Sequence, residues 1–156
     1  VKNIKIIENL EIPFSVNNII GFPGETRELA FDTIELNRRF GSDNTSCSIL
    51  VPFHGTELHA YAVEKGYLDQ NIICAVSNSG ESLLNMPQWD KKDITRLRDV
   101  FAMYIKFPKN RWSEIKKAET DETLRSELRK EFVRTFWSDS SAKIEDDIAE
   151  AAKGLF

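Results

Sequence analysis

An α/β fold is the class this sequence predicts, and three observations carry that prediction. The stretch 14–20, FSVNNII, is apolar and β-branched and stops on Gly21, as a buried strand does. A second apolar stretch, CSILVPF at 47–53, has Pro52 to mark its end. Each leads through a glycine-bearing turn into a segment of helical character. Strands alternating with helices in this way imply parallel pairing and a sheet covered on both faces.

Taken in order, Ile4, Ile7 and Leu10 recur at helical spacing in the opening segment. The chain starts at Val1, inside that segment, so the expectation is a piece of a larger protein. After the first strand and its Pro23-Gly24 turn, 25–40 reads as a helix with Leu29, Ile34 and Phe40 on one face and acids in its first turn. GSDN at 41–44 is a turn. Beyond the second strand, Thr56 is placed to cap a short helix and Gly66 to end it in the left-handed conformation. IICAVS at 72–77 is the candidate for a third strand, since two strands alone make a weak sheet. From 78 the character changes. A loop with Ser-Gly and Met-Pro punctuation precedes Asp90, which caps a helix whose stripe is Ile94, Leu97, Phe101, Tyr104 and Ile105 and which Pro108 stops. Leu124, Leu128, Phe132 and Phe136, then Ile144, Ile148 and Leu155, continue the helical pattern. The division expected is therefore an α/β part over 1–77 and a helical extension over 78–156.

With 156 residues the chain can bury a real core. With a net charge of −4 and scattered basic residues, nothing in the composition argues for a nucleic-acid or membrane-surface partner. No apolar run is long enough to span a bilayer. Cys47 and Cys74 stand alone in apolar settings, which suits buried free thiols in a reducing cytosol, and without CxxxCxxC spacing they cannot hold an iron–sulfur cluster.

A strand, a glycine turn and a helix start form a natural ligand position, because amides point outward and glycine allows close approach. The alternative is plain turn chemistry in a tight connection. Neither the P-loop nor the GxGxxG fingerprint is present. Glu25 would repel a phosphate, so a neutral or zwitterionic ligand fits better. The turn after the second strand, at Pro52 to Thr56, repeats the pattern, and barrel enzymes build their sites from such loops at the C-terminal ends of strands.

The stretch Ile19-Ile20-Gly21-Phe22-Pro23-Gly24-Glu25-Thr26, followed by Pro52-Phe53-His54-Gly55-Thr56 and then Gly66, resembles the second half of a radical S-adenosylmethionine catalytic domain. It is most similar to the branch that often carries a cobalamin-binding domain. The resemblance covers roughly residues 1–70, with His54 where the family usually has proline. It implies the last part of a partial (β/α) barrel in a cytoplasmic enzyme. The three cysteines that hold a [4Fe–4S] cluster in such enzymes would lie upstream, so this piece by itself is expected to be inactive. S-adenosylmethionine is the implied cofactor, with cobalamin left open and the substrate unspecified. Carried over by position, Ile19 packs on the adenine, Asn17 and Gly21 share its side of the strand, and the backbone at Phe53, His54 and Gly55 passes nearby.

For each there is a blander role: core packing for Ile19, satisfaction of backbone groups for Asn17, a solvated loop position for His54. His59 has no evident role, and Glu25 reads as a helix N-terminal acid. The missing N-terminal half is the implied partner. Without it, the exposed sheet edge is expected to pair between copies. A small autonomous α/β binding module is the competing reading, and the helices of 90–156 could also serve as a docking platform.

Overall fold

The computed structural model describes residues 2–42, 44–73 and 80–136. Among these the chain is mixed α/β, with six α-helices and a two-stranded parallel sheet. The order is α1 (Lys2–Asn9), β1 (Ser15–Ile20), α2 (Arg27–Asn37), β2 (Asn44–Ile49), α3 (Glu57–Glu64), α4 (Lys91–Lys106), a single 3-10 turn at Lys109–Arg111, α5 (Trp112–Ala118) and α6 (Glu122–Phe136). Most of the expected third strand, Cys74 and the stripe Ile144, Ile148 and Leu155 lie outside the described residues. Ile72 and Ile73 are not in a strand.

Local chemistry explains the helix starts. Thr26, Thr56 and Asp90 are extended N-caps whose side chains accept from Leu29 N, His59 N and Lys92 N. Gly66, with φ +69°, follows α3 in the left-handed conformation. Pro108 follows α4, which ends at Lys106.

β2 is displaced from its expected span. The apolar run 47–53 marks it poorly, because the strand is Asn44–Ile49 in flush register with β1, from Ser15 opposite Asn44 to Ile20 opposite Ile49. The polar Asn44, Ser46 and Ser48 are admitted because they alternate with Thr45, Cys47 and Ile49, and only the second set turns inward. Leu50 and Pro52 are buried beyond the strand end. The expected coverage of both sheet faces is also not seen among the described residues. Ser15, Asn17, Ile19, Asn44, Ser46 and Ser48 are all exposed.

The covered face packs on α4, which touches both β2 and α2. Ile20, Ile34, Ile49, Ile94, Leu97 and Phe101 belong to one hydrophobic cluster. That cluster draws residues from both sides of the expected boundary at 77/78, so the helical extension supplies the floor under the sheet. Leu29, expected on the buried stripe of α2, is exposed, and the stripe is Ala30, Ile34 and Asn37 instead. Phe31, Tyr104 and Trp112 meet edge to face, with ring centres 5.0, 5.6 and 5.4 Å apart. Arg38 reaches over Trp112 and donates to the carbonyls of Tyr104, Ile105 and Phe107 at 2.7, 2.7 and 2.8 Å. One guanidinium thereby takes up two orphan carbonyls of the last turn of α4 and that of its C-cap residue.

Candidate functional site

Parallel register brings the C-terminal ends of β1 and β2 side by side, and Leu50 N donates to Ile20 O at 2.9 Å just past them. The two glycine turns therefore leave the same sheet edge as neighbours. Phe22-Pro23-Gly24-Glu25 closes with Glu25 N donating to Phe22 O at 2.9 Å, and Gly24 has φ +87°. Phe53-His54-Gly55-Thr56 closes in the same way at 3.2 Å, with Gly55 at φ +83°. Positive φ at the third position is the mark of a type II turn, which favours proline at the second position and glycine at the third. His54 thus occupies the position that Pro23 fills in the first turn.

Glu25, expected to serve the N-terminus of the helix, reaches backwards instead. Its Oε2 accepts from Gly21 N at 2.6 Å and Phe22 N at 3.0 Å, while Glu28 is the acid in the first turn of α2. The carboxylate sits where an external anion would otherwise find two free amides, so this turn carries its own anion. Burial, the largest influence, raises the Glu25 carboxyl above its ordinary value, against a lowering by the amides of Phe22 and Gly21. A raised value means the folded state holds the proton more tightly. The contribution is then fully present below the ordinary value of 4.5 and is lost as pH rises through the folded value.

Two substitutions separate acceptor from charge. Glu25→Gln keeps a side-chain oxygen for the amides and removes the charge, and is expected to be at least as stable as the parent at pH 7. Glu25→Ala leaves both amides without that acceptor and is expected to lose about 1–3 kcal/mol. Urea midpoints measured together at pH 7 check this, and a glutamine variant as weak as the alanine one would refute the acceptor role.

The structure separates the expected site residues into two groups. Asn17 and Ile19 share the open face of β1. Ile19 is 50% exposed, and Asn17 Oδ1 accepts from Ser46 Oγ across the sheet at 2.7 Å. Phe53, His54 and Gly55 are exposed on the adjoining turn. Gly21 departs from this set. Its φ of +86° breaks the strand alternation, it is buried, and a side chain there would meet Ile94 Cγ2 at 3.3 Å and Ile49 Cγ2 at 3.7 Å on the covered face. It is a packing and turn position, on the opposite side from Asn17 and Ile19.

Two features are not foreseen from the sequence. Asn18 and Asn37 form a buried amide pair between β1 and α2, with Asn37 Nδ2 donating to Asn18 Oδ1 at 2.8 Å. Alternation places Asn18 opposite Asn17, but nothing local names its partner. The imidazoles of His54 and His59 are in contact, and the His59 Nε2 atom is buried with no hydrogen-bond partner. Cys47 is half-buried, and desolvation pushes its thiol up to about 12. This leaves it protonated and a poor nucleophile at neutral pH. No described helix is long and apolar enough to cross a membrane. No family model, no curated protein and no solved structure matches the chain.

Proposed function

We propose that the chain forms the C-terminal part of a radical S-adenosylmethionine domain, a fragment of a (β/α) barrel supplying the adenosyl-side wall of its site. The observation that carries this reading is the pairing of two type II turns at adjacent C-terminal strand ends, beside an open sheet face bearing Asn17 and Ile19. An open, partly apolar face on a parallel sheet is what a barrel interior becomes when neighbouring strands are taken away.

The residues suit the neutral end of such a cofactor. Ile19 and Phe53, 50% and 45% exposed, offer apolar surface to a purine face. The Ser46 hydroxyl orients the Asn17 amide through its oxygen, leaving the NH2 group as the donor for a polar ligand edge. Glu25 already holds the amides of Gly21 and Phe22, which favours an uncharged group near the first turn. When bound, the cofactor supplies a 5′-deoxyadenosyl radical through reductive cleavage at a [4Fe–4S] cluster. On this reading the cluster ligands would be supplied by a preceding part of the domain.

The test uses the parent protein, reconstituted anaerobically with iron and sulfide. Reductant-dependent release of 5′-deoxyadenosine is expected, and Ile19→Lys should cut it by about tenfold or more with cluster content unchanged. The chain alone should bind S-adenosylmethionine very weakly. A parent with neither cluster nor cleavage, or tight stoichiometric binding by this chain alone, would overturn the proposal in favour of an autonomous binding module.

A further inference from the structure

His54 and His59 are the two histidines of the chain, and their ring centres lie 4.2 Å apart with the planes inclined at 38°. The turn and the helix start impose this meeting. Thr56 Oγ1 donates to Phe53 O at 2.7 Å and accepts from His59 N at 3.2 Å, so one hydroxyl ties both ends of the segment. Gly55, at φ +83°, folds His54 back over the first turn of α3. His54 is exposed, whereas the Nε2 atom of His59 is buried and has no hydrogen-bond partner. A buried polar atom of this kind calls for an ion or a water to complete it.

We propose that His54 and His59 form a two-histidine chelate for a divalent transition ion of the zinc, nickel or copper class. Imidazole nitrogen suits these ions. Metal–nitrogen bonds of about 2.0–2.1 Å at a tetrahedral angle set ring centres about 5 Å apart, within a small side-chain rotation of the exposed His54. Among the described residues no third His, Cys, Asp or Glu joins the pair. The pair would thus supply two ligands, with water or an external ligand taking further positions. The proposal does not depend on the adenosyl reading and concerns an ion distinct from any iron–sulfur cluster.

The experiment titrates the full chain, free of any purification tag, with Ni2+ while recording the imidazole C–H resonances. Two histidines give two unambiguous sets of signals. Both sets should broaden in parallel at substoichiometric Ni2+, and calorimetry with Zn2+ should show one equivalent bound. His54→Asn and His59→Asn should each weaken binding by about tenfold or more. His54 is exposed, so its variant keeps the test informative even where His59→Asn disturbs α3, provided the far-ultraviolet circular dichroism of His54→Asn matches the parent. Broadening of His54 alone, or an affinity unchanged in His54→Asn, would show that the rings merely stack and would overturn the chelate.

Discussion

Glu119→Ala is expected to destabilise the fold by about 2–4 kcal/mol. Glu119 is only 3% exposed and lies just past α5, yet it joins three helices. Its Oε1 accepts from Arg27 Nη2 of α2 and from the hydroxyl of Tyr104 of α4, each at 2.6 Å, and its Oε2 from Lys116 Nζ of α5 at 3.0 Å. Removing the carboxylate strands a buried phenol hydroxyl and leaves a half-buried guanidinium without its counter-ion. Lys116 is largely in water, so most of the loss comes through Arg27 and Tyr104. Tyr104→Phe removes one donor and leaves the carboxylate paired, so about 1 kcal/mol is expected. Urea unfolding of both variants checks the ranking, and equal losses would reduce Glu119 to an acceptor for one hydroxyl. Tyr104 also carries a pH signature. Burial first, then the bond to Glu119, raises its phenol above the ordinary value of 10. Its contribution is present below that value and falls away as pH rises through the folded value, so stability should decline in strong alkali.

Gly21→Ala is expected to cost about 2–3 kcal/mol, from left-handed backbone strain together with crowding against Ile94 and Ile49. Gly24 supplies the comparison, because its φ of +87° is nearly the same while a side chain there would meet open space. Gly24→Ala should therefore show the strain alone, about 1–2 kcal/mol. Denaturation midpoints read the difference. A Gly24 variant as damaged as the Gly21 variant would mean that close packing under the first turn contributes nothing. The comparison also bears on the proposed site, since Gly21 holds the end of β1 against α4 while Asn17 and Ile19 stay on the open face.

The elements legible in the sequence are those whose cause lies within about four residues. Thr56 and Asp90 cap helices because a side-chain oxygen needs only a backbone amide two or three positions on, and Thr26 does the same although the expected helix starts at 25. Gly24 and Gly55 close turns because positive φ is a property of one residue, and the α4 stripe is readable because helical spacing repeats along one segment. The span of β2 is not legible in this way, since strand limits are set by the partner strand, and the register with Ser15–Ile20 outweighs the apolar run of 47–53. The exposure of Leu29 also depends on which faces meet after packing. The backward reach of Glu25 and the meeting of His54 with His59 are local, but they turn on a choice of side-chain rotamer that residue spacing does not specify. Glu119 is the extreme case: one acid among many charged residues of 109–131, it finds Arg27 from 92 positions away. Torsional preference and capping act over a few bonds and are written locally, whereas burial and charge pairing depend on distances that exist only once α2, α4 and α5 have closed on one another.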